Sequence, residues 1–307
     1  MAQGALNVII DSIGGIGGGG FRCAPSGHHF VLGPDQRSEH GAARGEGELL
    51  RGWPELCLSR ATIDNDGIRL WTGQEARPMG QWAAAGFANL QIVSREQTPL
   101  EDGGIKRVTV LTGSDPEKPI VHGETIRMLE DGAIEVQNRV EIDAGLPGPA
   151  RVGLVCATAP GFDQIEWFGR GPGESHADRK AGSPVGRYRG SVDEQLVNYI
   201  LPQENGNKTD VRWFALSDGE WTLRFDGAPW MEFSVHHFTD ADLTASLHTH
   251  ELAERRRPET WIHLDHRQRG VGTGSCGSQA LPEYCVDPGR YEFTYTIRVL
   301  NSPYSHN

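Results

Sequence analysis

The chain has 307 residues, and its 41 Asp plus Glu against 29 Lys plus Arg give a formal charge of −12. An acid excess of that size argues against a nucleic-acid partner, whose phosphates need concentrated positive surface; residues 254–258, E-R-R-R-P, are locally basic and fit a solvated turn. Five scattered cysteines without a C-x-x-C pair read as reduced thiols of a cytoplasmic protein, and no run approaches the ~18 apolar residues of a membrane span.

Taken in order, residues 1–11 lack the basic and long apolar regions of a secretion signal, so an unexported, soluble chain without a membrane partner is expected. A glycine run follows over residues 14–20. No helical pattern and no acidic residue in a second strand accompany it at the spacing a dinucleotide loop needs, so residues 1–22 read as a flexible leader and 23–307 as one β-domain. Residues 24–51 promise weak strands at most. From Trp53 the texture changes: Leu56 and Leu58 leave a core and enter the polar loop at 60–67, R-A-T-I-D-N-D-G, whose Asp and Asn side chains can bond their own backbone. Residues 74–88 are the one stretch with helical spacing, at Trp82, Ala85 and Gly86, and predict a single short helix.

Thereafter apolar and polar residues alternate with period two over 89–96, 105–112, 120–130 and 133–142, with a hairpin turn at 129–132. Four half-buried antiparallel strands are expected there. Further strands follow at 151–159, 165–168, 211–217, 221–226, 231–236, 261–269 and 291–300. Short strands at this density, with at most one or two short helices between them, indicate an all-β antiparallel sandwich.

The stretch at 166–182, E-W-F-G-R-G-P-G-E-S-H-A-D-R-K-A-G, runs from a strand end through a glycine-rich turn into a charged loop. It lacks the Gly-Lys-Ser/Thr ending and the following helix of a phosphate loop. His248 and His250 would share one face of a strand, but His236 and His237 would point apart and no cysteine lies at ligand spacing, so no metal site is assigned. Glu166, Glu174, Asp178, Glu204 and Asp265 are available for glycoside hydrolysis, yet nothing in the sequence pairs two of them across a bond. A nucleophile elbow, G-x-S-x-G, is absent. The turn at 202–207, P-Q-E-N-G-N, with Trp213, Trp221 and Trp230 following it, reads either as a sugar-facing amide cluster or as a capped turn beside core tryptophans.

Residues 167–172, W-F-G-R-G-P, followed by Glu174, Ser175, Asp178, Arg179 and Lys180, resemble the W-x-G-x-G-P-x-E-x-x-x-D-R segment in the C-terminal domain, or small chain, of family 2 β-galactosidases. Arg60, Asp64, Asn65 and Asp66 resemble that family's R-A-P-x-D-N-D block, and Glu204 and Asn205 its P-Q-E-N-G. Residues 236–238, 242–243, 248, 251–252, 264–265, 270–272 and 275–277 resemble its closing strands. The likeness covers about residues 53–299 and is poor before residue 50.

It implies a large super-sandwich similar to galactose mutarotase, no cofactor in this chain, and a TIM-barrel large chain as the partner that carries the catalytic glutamates; a chain dominated by period-two strands has no room for eight βα units. The resemblance also implies that Ser275 and Cys276 match the loop that lines the rim of the galactose pocket, although cysteine cannot stack on a sugar as a tryptophan does. Ser59 and Thr62 depart from the family's tryptophan and proline. Arg170, Glu174, Asp178 and Arg179 are expected to form an ion-paired scaffold. The alternative is a stand-alone galactoside-binding or mutarotase-like protein, with His176, Glu204 and His237 as its acid-base candidates; a third option is a product that folds without activity. A homo-oligomer stays open.

Overall fold

In the computed structural model, the described residues are 7–10, 21–24, 49–273 and 279–301. Strands β1 (Asn7–Ile10) and β2 (Phe21–Ala24) pair antiparallel with each other in a two-stranded sheet. The rest of the expected leader lies outside the described residues, and its expected end at residue 22 falls within β2.

All remaining strands join one 12-stranded sheet in which every pairing is antiparallel. A short strand, β3 (Glu55–Cys57), precedes helix α1 (Pro78–Ala85), which starts with proline at its first position and ends at Gly86 in the left-handed conformation (φ 74°). The meander β4 (Gln91–Pro99), β5 (Ile105–Thr112), β6 (Ile120–Met128) and β7 (Ile134–Ile142) follows, with the β6–β7 hairpin closed at Gly132 (φ 81°) as the sequence predicts. The expectation of four half-buried strands holds for β5 to β7 and fails for β4. That strand lies at the sheet's edge with nearly all its side chains in solvent, Ile92 and Val93 included.

Next come β8 (Arg151–Ala157), β9 (Gln164–Arg170), β10 (Val185–Ser191) and β11 (Lys208–Ser217). Residues 221–226 and 231–236, expected as two strands, are parts of one long strand, β12 (Thr222–His236). Two short helices that the sequence reading did not foresee, α2 (Asp240–Ala245) and α3 (Thr249–Ala253), separate it from β13 (Trp261–Gln268), and β14 (Arg290–Leu300) closes the chain. The described residues thus carry three short α-helices.

The sheet branches at β12. Residues 222–228 pair with β14 and lead through β7, β6 and β5 to β4, whereas residues 232–236 pair with β13, then β8, then β3. Both arms close over one core, since Val136, Tyr295 and Ile297 of the first arm share a cluster with Leu154, Ile262 and Leu264 of the second and with Phe214, Phe225 and Phe233 between them. Burial of these side chains is the main stabilising term, at about 1.5–3 kcal/mol for each large apolar side chain. The second arm alternates strictly. Leu154, Leu264 and Phe233 form a registered row into this core, Leu56 extends the row into a second apolar cluster with Leu58, Trp82 and Val152, and Cys57, Gly153, Asp265 and Glu232 form the neighbouring row on the opposite face. That face carries the polar groups described next.

Candidate functional site

Residues 269–272, which lead from β13 into the segment at 274–278, are gripped from two sides. On one side Arg60, fully buried, makes a two-point ion pair with Asp66 (2.8 and 2.9 Å) and donates to the carbonyls of Arg269 (2.7 Å) and Gly270 (3.2 Å). Asn65 Nδ2 donates to the carbonyl of Val271 at 2.7 Å. On the other side Asp178 accepts the backbone N–H groups of Val271 (3.0 Å) and Gly272 (2.7 Å). Glycine is required at 270, because a Cβ there would lie 2.4 Å from the Asp178 carboxylate. Asp178 therefore clamps backbone, which corrects the expectation that it belongs to an ion-paired scaffold. The scaffold expectation fits its neighbours: Arg170 and Lys180 both hold Asp210 (2.5 and 2.6 Å), and Arg179 pairs with Glu174. Asp64 lies half-buried beside Arg69.

A buried polar hub lies behind this clamp. Arg151 on β8 is wholly buried and paired with Asp265 (2.8 Å) and Glu204 (2.6 Å). Glu204 accepts from Gln268 Nε2 (2.9 Å), whose Oε1 meets His176 Nδ1 (3.0 Å), and His176 Nε2 stands 3.9 Å from Glu174. Gly153 makes room for the hub, since a Cβ there would fall 1.9 Å from Asp265 Oδ1. Burial opposes ionisation of Glu174, but the nearby His176 imidazole, the Tyr199 hydroxyl and the Gly206 N–H outweigh it and hold the carboxyl well below its ordinary range. Burial pushes Asp265 up to about 6, with Arg151 and His263 resisting. Its cross-strand neighbour Glu232 is pushed up to about 7, first by burial and further by the Asp265 charge, with Asn207 Nδ2 bonded to it at 2.8 Å. Burial lowers Lys208 to about 8; its Nζ donates to the Gly206 carbonyl and lies 5.3 Å above the Trp167 ring.

The structure joins two of the acid-base candidates, His176 and Glu204, through Gln268, with both already bonded and buried. His237 has other partners, the Glu259 carbonyl at 3.0 Å and Asp163 at 3.3 Å. Asn205 caps the turn, accepting the Val197 N–H and donating to the Gln203 carbonyl, and its own carbonyl meets His236 Nε2 at 2.9 Å. The capped-turn reading of residues 202–207 fits these contacts. Of the tryptophans after it, Trp221 is in the core, Trp213 lies between Arg187 and Arg224, and Trp230 is exposed under Arg212. His248 and His250 stack, with ring centroids 5.4 Å apart, on the surface. A groove of about 640 Å³ crosses β5, β6, β7 and β14, lined in part by Glu124, Asn138, Arg139 and Phe293, and contains none of the three acid-base candidates. Ser275 and Cys276 lie outside the described residues.

Sequence reasoning missed Arg151, Gln268 and Glu232. Their neighbours in sequence are ordinary strand residues, and only the pairing of β8, β12 and β13 assembles them.

These features define a large antiparallel β-domain whose charged residues brace one another and hold the backbone of residues 269–272. The chain belongs to the beta galactosidase small chain family, whose model matches residues 39–297. It is 30% identical to a beta-galactosidase of Streptococcus thermophilus over 83% of this chain and 24% of that protein, and 29% identical to one of Vibrio cholerae over 79% and 23%. The chain thus spans about a quarter of the length of these relatives. Among solved structures it is similar to a galactose 1-epimerase of Lactobacillus acidophilus, with a TM-score of 0.46 and 7% identity over 98% of this chain and 100% of that one.

Proposed function

We propose that this chain is the C-terminal domain or small chain of a β-galactosidase and completes the galactoside site of a TIM-barrel partner. The observation that carries this is the two-sided clamp on residues 269–272 by Arg60, Asn65 and Asp178, which is built from the residues of the family's own blocks and fixes the base of the segment that contains Ser275 and Cys276. Backbone held at 269–272 by charge-assisted hydrogen bonds presents the residues that follow it to a partner from a fixed starting point.

The chemistry itself belongs to the partner. Retaining hydrolysis needs a nucleophilic and an acidic carboxyl about 5–5.5 Å apart across the sugar bond. Here Glu204 and Asp265 are both committed to Arg151 and buried, which suits bracing and leaves neither open to a glycoside. On this reading the assembled enzyme is a family 2 glycosidase of cytoplasmic lactose metabolism, and the small residue at Cys276 shapes the rim without stacking on the sugar.

The test is reconstitution. The purified chain is mixed with a candidate TIM-barrel chain, and hydrolysis of a chromogenic galactoside is followed alongside complex formation by size-exclusion chromatography. A stable complex with activity that neither chain shows alone is expected; failure to bind any such barrel chain sinks the proposal.

A further inference from the structure

One cluster on the polar face of the second arm takes no part in the clamp. Cys57 of β3, His263 of β13 and Asp240 at the start of α2 each bring a donor atom within 4.8 Å of the other two. His263 Nε2 is 3.1 Å from Asp240 Oδ1, so the ring edge that faces the carboxylate is the one placed to share an ion with it. His263 is 6% exposed, and an ion held there would be shielded from bulk water.

We propose that Cys57, Asp240 and His263 form a binding site for a zinc-type divalent cation. The donor set is one sulfur, one imidazole nitrogen and one carboxylate oxygen, a combination that favours zinc over magnesium or calcium, which take oxygen ligands. Tetrahedral zinc holds its ligands at about 2.0–2.3 Å, so the three atoms need to close in only by side-chain adjustment. On binding, the thiol gives up its proton and His263 ligates as the neutral imidazole. Asp240 is the open side, with 23% of its side chain exposed, which provides an entry path and room for water as the fourth ligand. The charges facing the cluster are Arg151, Glu204, Asp265 and His236. Arg151 does not repel the cation with its full charge, because Glu204 and Asp265 bracket it at 2.6 and 2.8 Å.

A thiol, an imidazole and a carboxylate together also invite a nucleophile reading. Cys57 argues against it: the residue is buried and its thiol already donates to the Ser59 carbonyl at 3.4 Å, which leaves it poorly placed to attack a substrate. As a structural ion the metal would tie β3, β13 and the segment before α2 together, with Arg60 of the clamp three residues beyond Cys57. The inference stands on these three side chains and does not depend on the β-galactosidase proposal.

The test uses the full chain, stripped with a chelator and titrated with cobalt(II) and with zinc. One equivalent of cobalt should bind with a thiolate-to-metal charge-transfer band and the intense visible bands of a tetrahedral site. Saturating zinc should raise the Tm by several degrees, as mass action requires. Cys57→Ser should abolish the charge-transfer band, and Asp240→Asn, which keeps the side chain's shape, should weaken binding at least tenfold in chain shown to be folded by circular dichroism. The double variant His248→Ala/His250→Ala should bind as the original chain does. X-ray absorption of the zinc-loaded chain should show one sulfur and otherwise nitrogen or oxygen ligands, a readout independent of any variant's folding. Absence of binding, a band that survives Cys57→Ser, loss of binding in the His248/His250 variant, or a sulfur count other than one overturns the site.

Discussion

Arginine–carboxylate pairs occur in two settings in this molecule. On the outer strand faces Arg139 pairs with Glu141 and Arg290 with Glu292, each two residues apart along a strand and about half exposed. In the second arm Arg151 meets Glu204 and Asp265, and Arg60 meets Asp66, with side chains 0–3% exposed. A surface pair gains little, because water already solvates both charges and salt screens them. A buried pair is a different object: each charge has lost its water, so each depends on the other, and removal of one partner leaves the rest stranded. The buried pairs therefore fix which strands and loops lie together, and the surface pairs decorate a fold determined by other contacts.

The largest expected effect follows directly. Arg151→Ala leaves Asp265 and Glu204 side by side without a counter-charge and should cost about 3–5 kcal/mol in urea-unfolding experiments. Arg139→Ala on the first arm should change stability by about 0.5 kcal/mol or less. Equal losses from the two would erase the distinction. Asp178→Ala tests the clamp and comes next: it strands the N–H groups of Val271 and Gly272 and should cost about 2 kcal/mol. If the clamp serves the proposed galactoside site, the variant should lose more galactoside hydrolysis in the reconstituted complex than its stability loss explains at a temperature where it is folded. Unimpaired activity in that complex would mean that the clamp is structural only.

The sequence made the first arm legible and the second arm's site largely illegible, for physical reasons. Period-two alternation marked β5, β6, β7 and β14 because each buries one face on the core. It misled at β4, where side chains of both faces stand in solvent among the described residues, so alternation there does not report burial. Strand β10, V-G-R-Y-R-G-S, carries no apolar alternation and is recruited by pairing along β9. Helix α2 did have a local signal, the capping box of Thr239 and Asp242, in a stretch too short for helical periodicity to appear. Arg60 and Asp66 were found because they sit in one continuous motif. Arg151, Glu204 and Asp265, and likewise Cys57, Asp240 and His263, come from segments far apart in the chain, and no spacing rule brings them together before strand register is known.

The smallest expected effect separates burial from pairing within the buried face itself. Glu232 and Asp265 are cross-strand neighbours, yet Asp265 has Arg151 and Glu232 has only the Asn207 amide and the more distant Lys180 charge. Burial and the Asp265 charge raise Glu232 from an ordinary 4.5 to about 7. The folded chain thus holds this proton more tightly than the unfolded chain. Its contribution to stability is fully present below pH 4.5 and is lost as pH rises through about 7. Asp265, raised from 3.8 to about 6, acts in the same direction over a lower window, whereas Glu174 and Asp240, held below their ordinary values, lose stability as pH falls. Glu232→Gln keeps the shape and the bond to Asn207 while removing the titration. Relative to the original chain, the variant should gain about 1 kcal/mol between about pH 5 and about pH 8, once solvent screening of a half-buried carboxyl is allowed for. Urea unfolding across that range reads it. A flat difference would show that Glu232 is ionised in the folded chain, and that the polar face of the second arm is wetter than its register and burial imply.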